Sequence, residues 1–169
     1  MHELESNEYI VRVPVKVLMY KGTSKDNPKS TITDKSISWW TNSMYSHCEI
    51  VVNRTHITVA PETGIVIDDA IPEDKTPKVW DIIELSYEVT QKQYLDCMQF
   101  IHSLEDAEYD WKGILLCQFL KIGLDRTDKW YCSELVSKIL QILGEEKMYY
   151  IEPHRINPGD VSEILTGMR

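Results

Sequence analysis

The chain has 169 residues, of which 43% are hydrophobic and 27% charged, the balance of an ordinary globular protein. One domain spanning 1–169 is the default for this length, and such a chain buries roughly 70% of its unfolded surface without a disulfide or metal staple. The 27 acidic against 18 basic residues leave a net charge of −9, which argues against a broad nucleic-acid-binding surface.

Residues 9–20 alternate Tyr9, Val11, Val13, Val15, Val17 and Met19 with polar neighbours, a half-buried strand in which Pro14 marks an edge or bulge position. Residues 21–35, rich in Gly, Ser, Thr, Asn, Asp and Lys, read as a long loop. Ser36 is placed to cap a short helix carrying Trp39-Trp40, a pair suited to a cleft wall or to the core. Strands follow at 47–53, 56–60 and 64–68, with His56 at a hairpin turn. The charged, proline-containing stretch 69–77 reads as loop, and 78–85 as another strand. Thr90 caps a helix through Leu104, and Asp110 caps one through Ile122. A helix beginning near Cys132 and stopped by Gly144 comes next, then a Pro-rich loop and a last helix capped by Asp160. Strands joined by hairpins and followed by helices predict an α+β chain with an antiparallel sheet packed against helices.

The segment Lys129-Trp130-Tyr131-Cys132-Ser133-Glu134-Leu135-Val136 carries the strongest chemical signal. Leu135, Val136, Ile139, Leu140, Ile142 and Leu143 recur at helical spacing, which puts Cys132 in a first helical turn. There the helix dipole and backbone N–H groups stabilise a thiolate and an oxyanion. A cysteine nucleophile needs a base. Of the five histidines, His47 stands out, because Ser46-His47-Cys48-Glu49-Ile50-Val51-Val52 reads as the rigid start of a strand. His2, His56, His102 and His154 fall in a terminus, a turn, a helix and a loop. Cys97 and Cys117 fall on apolar helix faces, and Cys48 points to the strand face opposite His47, so all three read as structural thiols.

The hexapeptide Tyr131-Cys132-Ser133-Glu134-Leu135-Val136, with Ser46-His47 half a chain upstream, resembles the circularly permuted branch of the NlpC-type papain-like cysteine hydrolases, in which the histidine precedes the cysteine. Trp39-Trp40-Thr41-Asn42-Ser43, Tyr109-Asp110-Trp111-Lys112-Gly113 and Asn157-Pro158-Gly159-Asp160 extend the resemblance from about Val15 to Leu165. Phage-encoded members of that branch are the nearest likeness. The resemblance implies a permuted papain-like fold and cleavage of an amide or ester, such as a peptide, isopeptide or acyl-lipid bond. Cys132 is then the nucleophile and His47 the base.

The third catalytic group is open. A hairpin of 47–53 with 56–62, turning at Arg54-Thr55, sets Asn53 opposite His56, Val51 opposite Thr58, Glu49 opposite Ala60 and His47 opposite Glu62. Glu62 is then the natural partner of His47. A shifted register offers Thr58, and Glu49 shares the face of His47 at roughly 6–7 Å along the strand. The family position lies nearer Val59 or Ala60, neither of which orients a histidine. Tyr20, at the end of the first strand, and Trp130 and Tyr131, beside the nucleophile, are further candidates for the cleft.

The expected chemistry is acyl transfer through a thioester. Related readings are a lipid acyltransferase or phospholipase of the same superfamily and a binding module with a decayed site. No cofactor is implied. Without a Cys-x-x-Cys pair a structural zinc site is not expected, although His47, Cys48 and Cys132 offer an adventitious one. No segment reaches the ~20 apolar residues of a membrane span. The start Met1-His2-Glu3-Leu4-Glu5 has no signal-peptide pattern, so a cytoplasmic location in a bacterial or phage-infected cell is expected, where irregularly spaced cysteines stay reduced.

Overall fold

The computed structural model describes residues 9–25, 27, 30–60, 64–69, 71, 75–104 and 131–167. They contain β1 (Ile10–Lys21), α1 (Ile32–Thr41), β2 (Tyr45–Val52), β3 (Thr55–Ala60), β4 (Gly64–Asp68), β5 (Trp80–Thr90), α2 (Gln91–Ser103), α3 (Cys132–Ile142) and α4 (Pro158–Thr166). The strands form one antiparallel sheet in the order β4-β3-β2-β1-β5, so the protein is α+β. The predicted helix 110–122, Cys117, Trp130 and Glu62 lie outside the described residues. Among the described residues, no helix is long and apolar enough to cross a membrane.

The period-two pattern of β1 builds two unlike faces. Val13, Val15, Val17 and Met19 join Cys48, Ile50 and Val52 of β2, and α2, α3 and α4 cover them with Cys97, Ile101, Leu135, Ile139, Leu140, Val161 and Leu165. The opposite face is outward along Arg12, Lys16 and Glu84, where Lys16 and Glu84 pair at 3.0 Å. Farther along, Leu18, Val51 and Trp80 close it with Tyr20, Ile71 and Val79. Pro14 fits inside this paired strand because β2 pairing begins only at Val15↔Val52. Its carbonyl accepts the Asn53 N–H (2.8 Å), so its own missing N–H faces the turn and no ladder bond is lost.

Helix boundaries follow local capping chemistry, and two differ from the sequence expectation. Thr31, not Ser36, caps α1, with Asp34 returning the bond as a capping box. The earlier start turns Ser38 inward and leaves Trp39 78% exposed, so Trp39 is not a core residue. In α4 the cap is Asn157, and Asp160 is the reciprocal third residue of the box. Thr90 caps α2 as its sequence predicts. The β5 strand runs from Trp80 to that cap, longer than the expected 78–85, because Tyr87 and Val89 continue the alternation against β1. Gly144 adopts φ +84 just past α3, a backbone state that glycine reaches without strain.

Candidate active site

The hairpin joining β2 to β3 decides which groups surround His47. Its pairs are Ile50↔Ile57, Val51↔His56 and Val52↔Thr55, so the loop is Asn53-Arg54 rather than Arg54-Thr55. Asn53 takes the left-handed conformation at φ 58, which an asparagine tolerates and Thr55 would resist. Val51 therefore faces His56 instead of Thr58, and the partner of every β2 residue moves by two places while its face is kept. Thr58 comes beside Glu49, while Glu62, expected opposite His47, lies outside the described residues. His56 is not a turn residue but a buried member of β3.

The outcome is a closed polar cluster centred on Glu49, which is 3% exposed. Its Oε1 receives Lys75 Nζ at 2.8 Å and the Thr58 hydroxyl at 3.0 Å. His47 Nε2 lies 3.4 Å from the same oxygen and 3.3 Å from Thr58 Oγ1. Oε2 is bound by His56 Nε2 at 2.8 Å. Since Thr58 gives its hydrogen to Glu49, its lone pair is what it presents to His47. His47 therefore carries a hydrogen on Nε2, and Nδ1 is the ring nitrogen left for the thiol. The His47 ring stands edge-on to Trp80 with centroids 6.3 Å apart, and Lys75 lies 4.1 Å over the same indole. Tyr20 pairs with His47 across the strands and packs on Trp80 at 5.0 Å, so it flanks the base. With its side chain 23% exposed, His47 is open to a substrate as Glu49 is not.

Cys132 is the first residue of α3, a helix whose Tyr131 N-cap makes no side-chain capping bond. By contrast α1, α2 and α4 are capped by Thr31, Thr90 and Asn157. Its thiol interacts electrostatically with the His47 ring, the Cys48 thiol and the Cys48 backbone. These contacts come from a parting of the strands. The β2–β3 pairs end at Ile50↔Ile57, while β2 stays with β1 to Tyr45 and β3 stays with β4 to Ala60. Residues 52, 50 and 48 turn their N–H groups toward β3. Cys48 lies beyond the last β2–β3 pair, and there its backbone acts on the Cys132 thiol. One thiol can then touch both His47 and Cys48, which belong to opposite faces of β2. Cys48, expected to be only structural, is buried and also part of the site.

These contacts set the charges. The Cys132 thiol is held well below its ordinary 9.0, first by the hydrogen bond with Cys48, against the opposing effect of burial, and then by the charge and hydrogen bond of His47. Burial works against a charged His47, but the Cys132 thiolate and then Glu49 outweigh it and raise the imidazole to about 10. Burial, with the neighbouring Cys132 thiolate, pushes the Cys48 thiol upward, so Cys48 stays protonated and donates. Glu49 is pushed up by burial, yet hydrogen bonds from His47, His56 and Lys75 keep it well below the usual carboxylate range. Both shifts favour a thiolate beside an imidazolium.

Several contacts lock the two halves together. Ser133, in the first turn of α3, is fully buried and donates to the Ile156 carbonyl at 2.7 Å. The Tyr131 hydroxyl bonds the His154 carbonyl. At the β2 entry Ser46 bonds Asp34 (2.9 Å) and Tyr45 bonds Asp81 (2.8 Å). Gly22 and Gly159 leave room there, because a Cβ on either would strike Ser46 or Ser43.

The structure thus brings Cys132 and His47 together, and beside them it places Glu49, Thr58, Cys48, His56 and Lys75. Glu49 and Thr58 were alternatives in the sequence. Lys75 carried no signal, because it reaches the site from a loop with no periodicity. His56 reads from the sequence as a turn residue, so its place in the cluster was missed. Among the described residues no group of three or more His, Cys, Asp or Glu is arranged to hold a metal ion, the His47, Cys48 and Cys132 trio included. Comparison with known protein families, curated proteins and solved structures finds no match to this chain.

Proposed function

We propose that the protein is a cysteine hydrolase of the peptidase or amidase type, on a permuted papain-like arrangement with the histidine strand ahead of the cysteine helix. The observation that carries this reading is the Cys132 thiol at a helix start, in contact with a His47 whose far nitrogen is backed by Thr58 and Glu49. The Cys132 thiolate attacks the substrate carbonyl, and the Cys132 backbone N–H helps to hold the oxyanion. The His47 imidazolium gives its proton to the leaving amine or alcohol as the carbon–heteroatom bond breaks, which leaves a thioester. Neutral His47 then takes a proton from water as its oxygen attacks the thioester. Release of the carboxylic acid restores the thiolate and imidazolium. A decayed binding module is favoured by the apolar Val59 at the family's usual third position. Glu49 and Thr58 supply the missing polar group from the same and the next strand, which supports the hydrolase instead.

A panel of peptide, isopeptide and acyl-ester substrates, with mass spectrometry of the quenched protein, tests the reading. Turnover with an acyl mass on Cys132, absent in Cys132→Ala, is expected. Product appearing on an added alcohol or amine in preference to water points to an acyltransferase. Absence of any acyl mass across the panel would contradict both.

A further inference from the structure

His56 is an unusual residue to bury. Its side chain is 1% exposed, Nε2 lies 2.8 Å from Glu49 Oε2, and Nδ1 is sealed from solvent with no hydrogen-bond partner. A ring charged at both nitrogens would hold a buried N–H without an acceptor, which is costly. The geometry selects the neutral ring, with its hydrogen on Nε2 and donated to Glu49.

Charged and titratable groups face this pair from several elements. His47 comes from β2, Lys75 from the segment before β5, and Asp68 lies level with His56 on β4. The division of labour at Glu49 is uneven. Lys75, Thr58 and His47 crowd Oε1, and among the described residues His56 is the only group on Oε2. Without that bond the carboxylate is free to turn about its terminal torsion, which is broad. The oxygen shared with Thr58 and His47 would then lose its place. Nothing in the hydrolytic steps requires His56 to meet substrate, and its burial prevents it.

We propose that His56 is a positioning residue for the Cys132–His47 pair, acting through Glu49 to fix the imidazole from behind. The inference rests on the thiol–imidazole reading of the site, so the test must separate the two. The rate of iodoacetamide alkylation at Cys132 is measured against pH in wild type, His47→Ala, His56→Phe and His56→Gln, with thermal unfolding of each. In His56→Phe, which keeps a ring but loses the donor, the midpoint rises toward an ordinary thiol by about one pH unit. His56→Gln, whose amide can donate to Oε2, recovers most of that shift. A merely structural role lowers the unfolding temperature in His56→Phe and leaves the alkylation profile where it was, and that result overturns the inference alone. An ordinary thiol profile already present in wild type overturns the hydrolase reading with it. Nitrogen-15 spectra of the histidine rings in wild type keep the question open to refutation even if His56→Phe does not fold. The Nε2–H tautomer at His56 is expected, and the Nδ1–H tautomer would contradict the proposal.

Discussion

The two faces of β2 are built from alternate residues of one strand, and they are closed by different means. Cys48, Ile50 and Val52 meet a helical layer through apolar contact. On the other face His47 and Glu49 meet Thr58, His56 and Lys75 through hydrogen bonds and charge. Glu49 at 3% exposure is almost as closed as Ile50 at 0%. Apolar burial is non-directional, so the first face tolerates repacking. A buried carboxylate is tolerated only while its donors stay in place, so the second face depends on a few atoms. The proposed site sits where the two regimes touch, at the point where the β2–β3 pairing ends and Cys132 enters.

The sharpest way to separate the faces is to remove the reacting groups. Cys132→Ala should abolish turnover while the fold survives, because Cys132 is only half-buried at the start of its helix. His47→Ala should lower kcat/KM by about 10²–10⁴, measured on any substrate that the panel reveals. Next come the supports. Ile139→Ala, on the apolar face, should cost about 2–5 kcal/mol in denaturant unfolding and leave the Cys132 alkylation profile of the folded protein unchanged. Glu49→Leu should cost about 3–5 kcal/mol, because Lys75 and His56 lose their acceptor in a closed site, and it should also move the alkylation profile upward. If both variants lost stability alone, the contrast between the faces would fail.

Smaller effects come from single bonds. Thr58→Val keeps the β-branched shape and deletes the hydroxyl between His47 and Glu49. It should lower kcat several-fold with KM held, at a stability cost of about 1 kcal/mol. Asn157→Ala removes the cap of α4 without touching the groups around His47 and should cost about 1 kcal/mol with little change in kcat. The pH dependence has a definite sign. The Cys132 pKa is lowered, so its thiolate is lost only as pH falls well below the ordinary value of 9.0. The His47 pKa is raised, so its proton is lost as pH rises through about 10. A bell-shaped kcat/KM is expected, with a falling alkaline limb near 10 and a rising limb on the acid side.

The apolar face was readable from spacing. Val13, Val15, Val17 and Met19 alternate, and Leu135, Val136, Ile139 and Leu140 recur at helical intervals, because burial against a layer imposes a period. The pairing of Cys132 with His47 was also legible, from a helix start and a strand start. The rest was not, because it depends on register. A loop one residue earlier, allowed by the left-handed backbone of Asn53, put Thr58 beside Glu49 and both next to the base. Lys75 arrives from an aperiodic segment, and no local pattern foretells a tertiary ion pair. The Thr31 and Asn157 caps were missed in favour of Ser36 and Asp160, because several residues in each segment are competent to cap.

The most direct test of the central claim is site-resolved alkylation by iodoacetamide at pH 6, comparing Cys132 in wild type and in His47→Ala, with buried Cys97 as internal reference. An activated pair predicts rapid labelling of Cys132 in wild type, strong slowing in His47→Ala, and little labelling of Cys97, whose thiol burial pushes up to about 12. Equally slow labelling of Cys132 in both proteins, accelerating only near pH 9, would contradict the thiolate–imidazolium site and the hydrolase built on it.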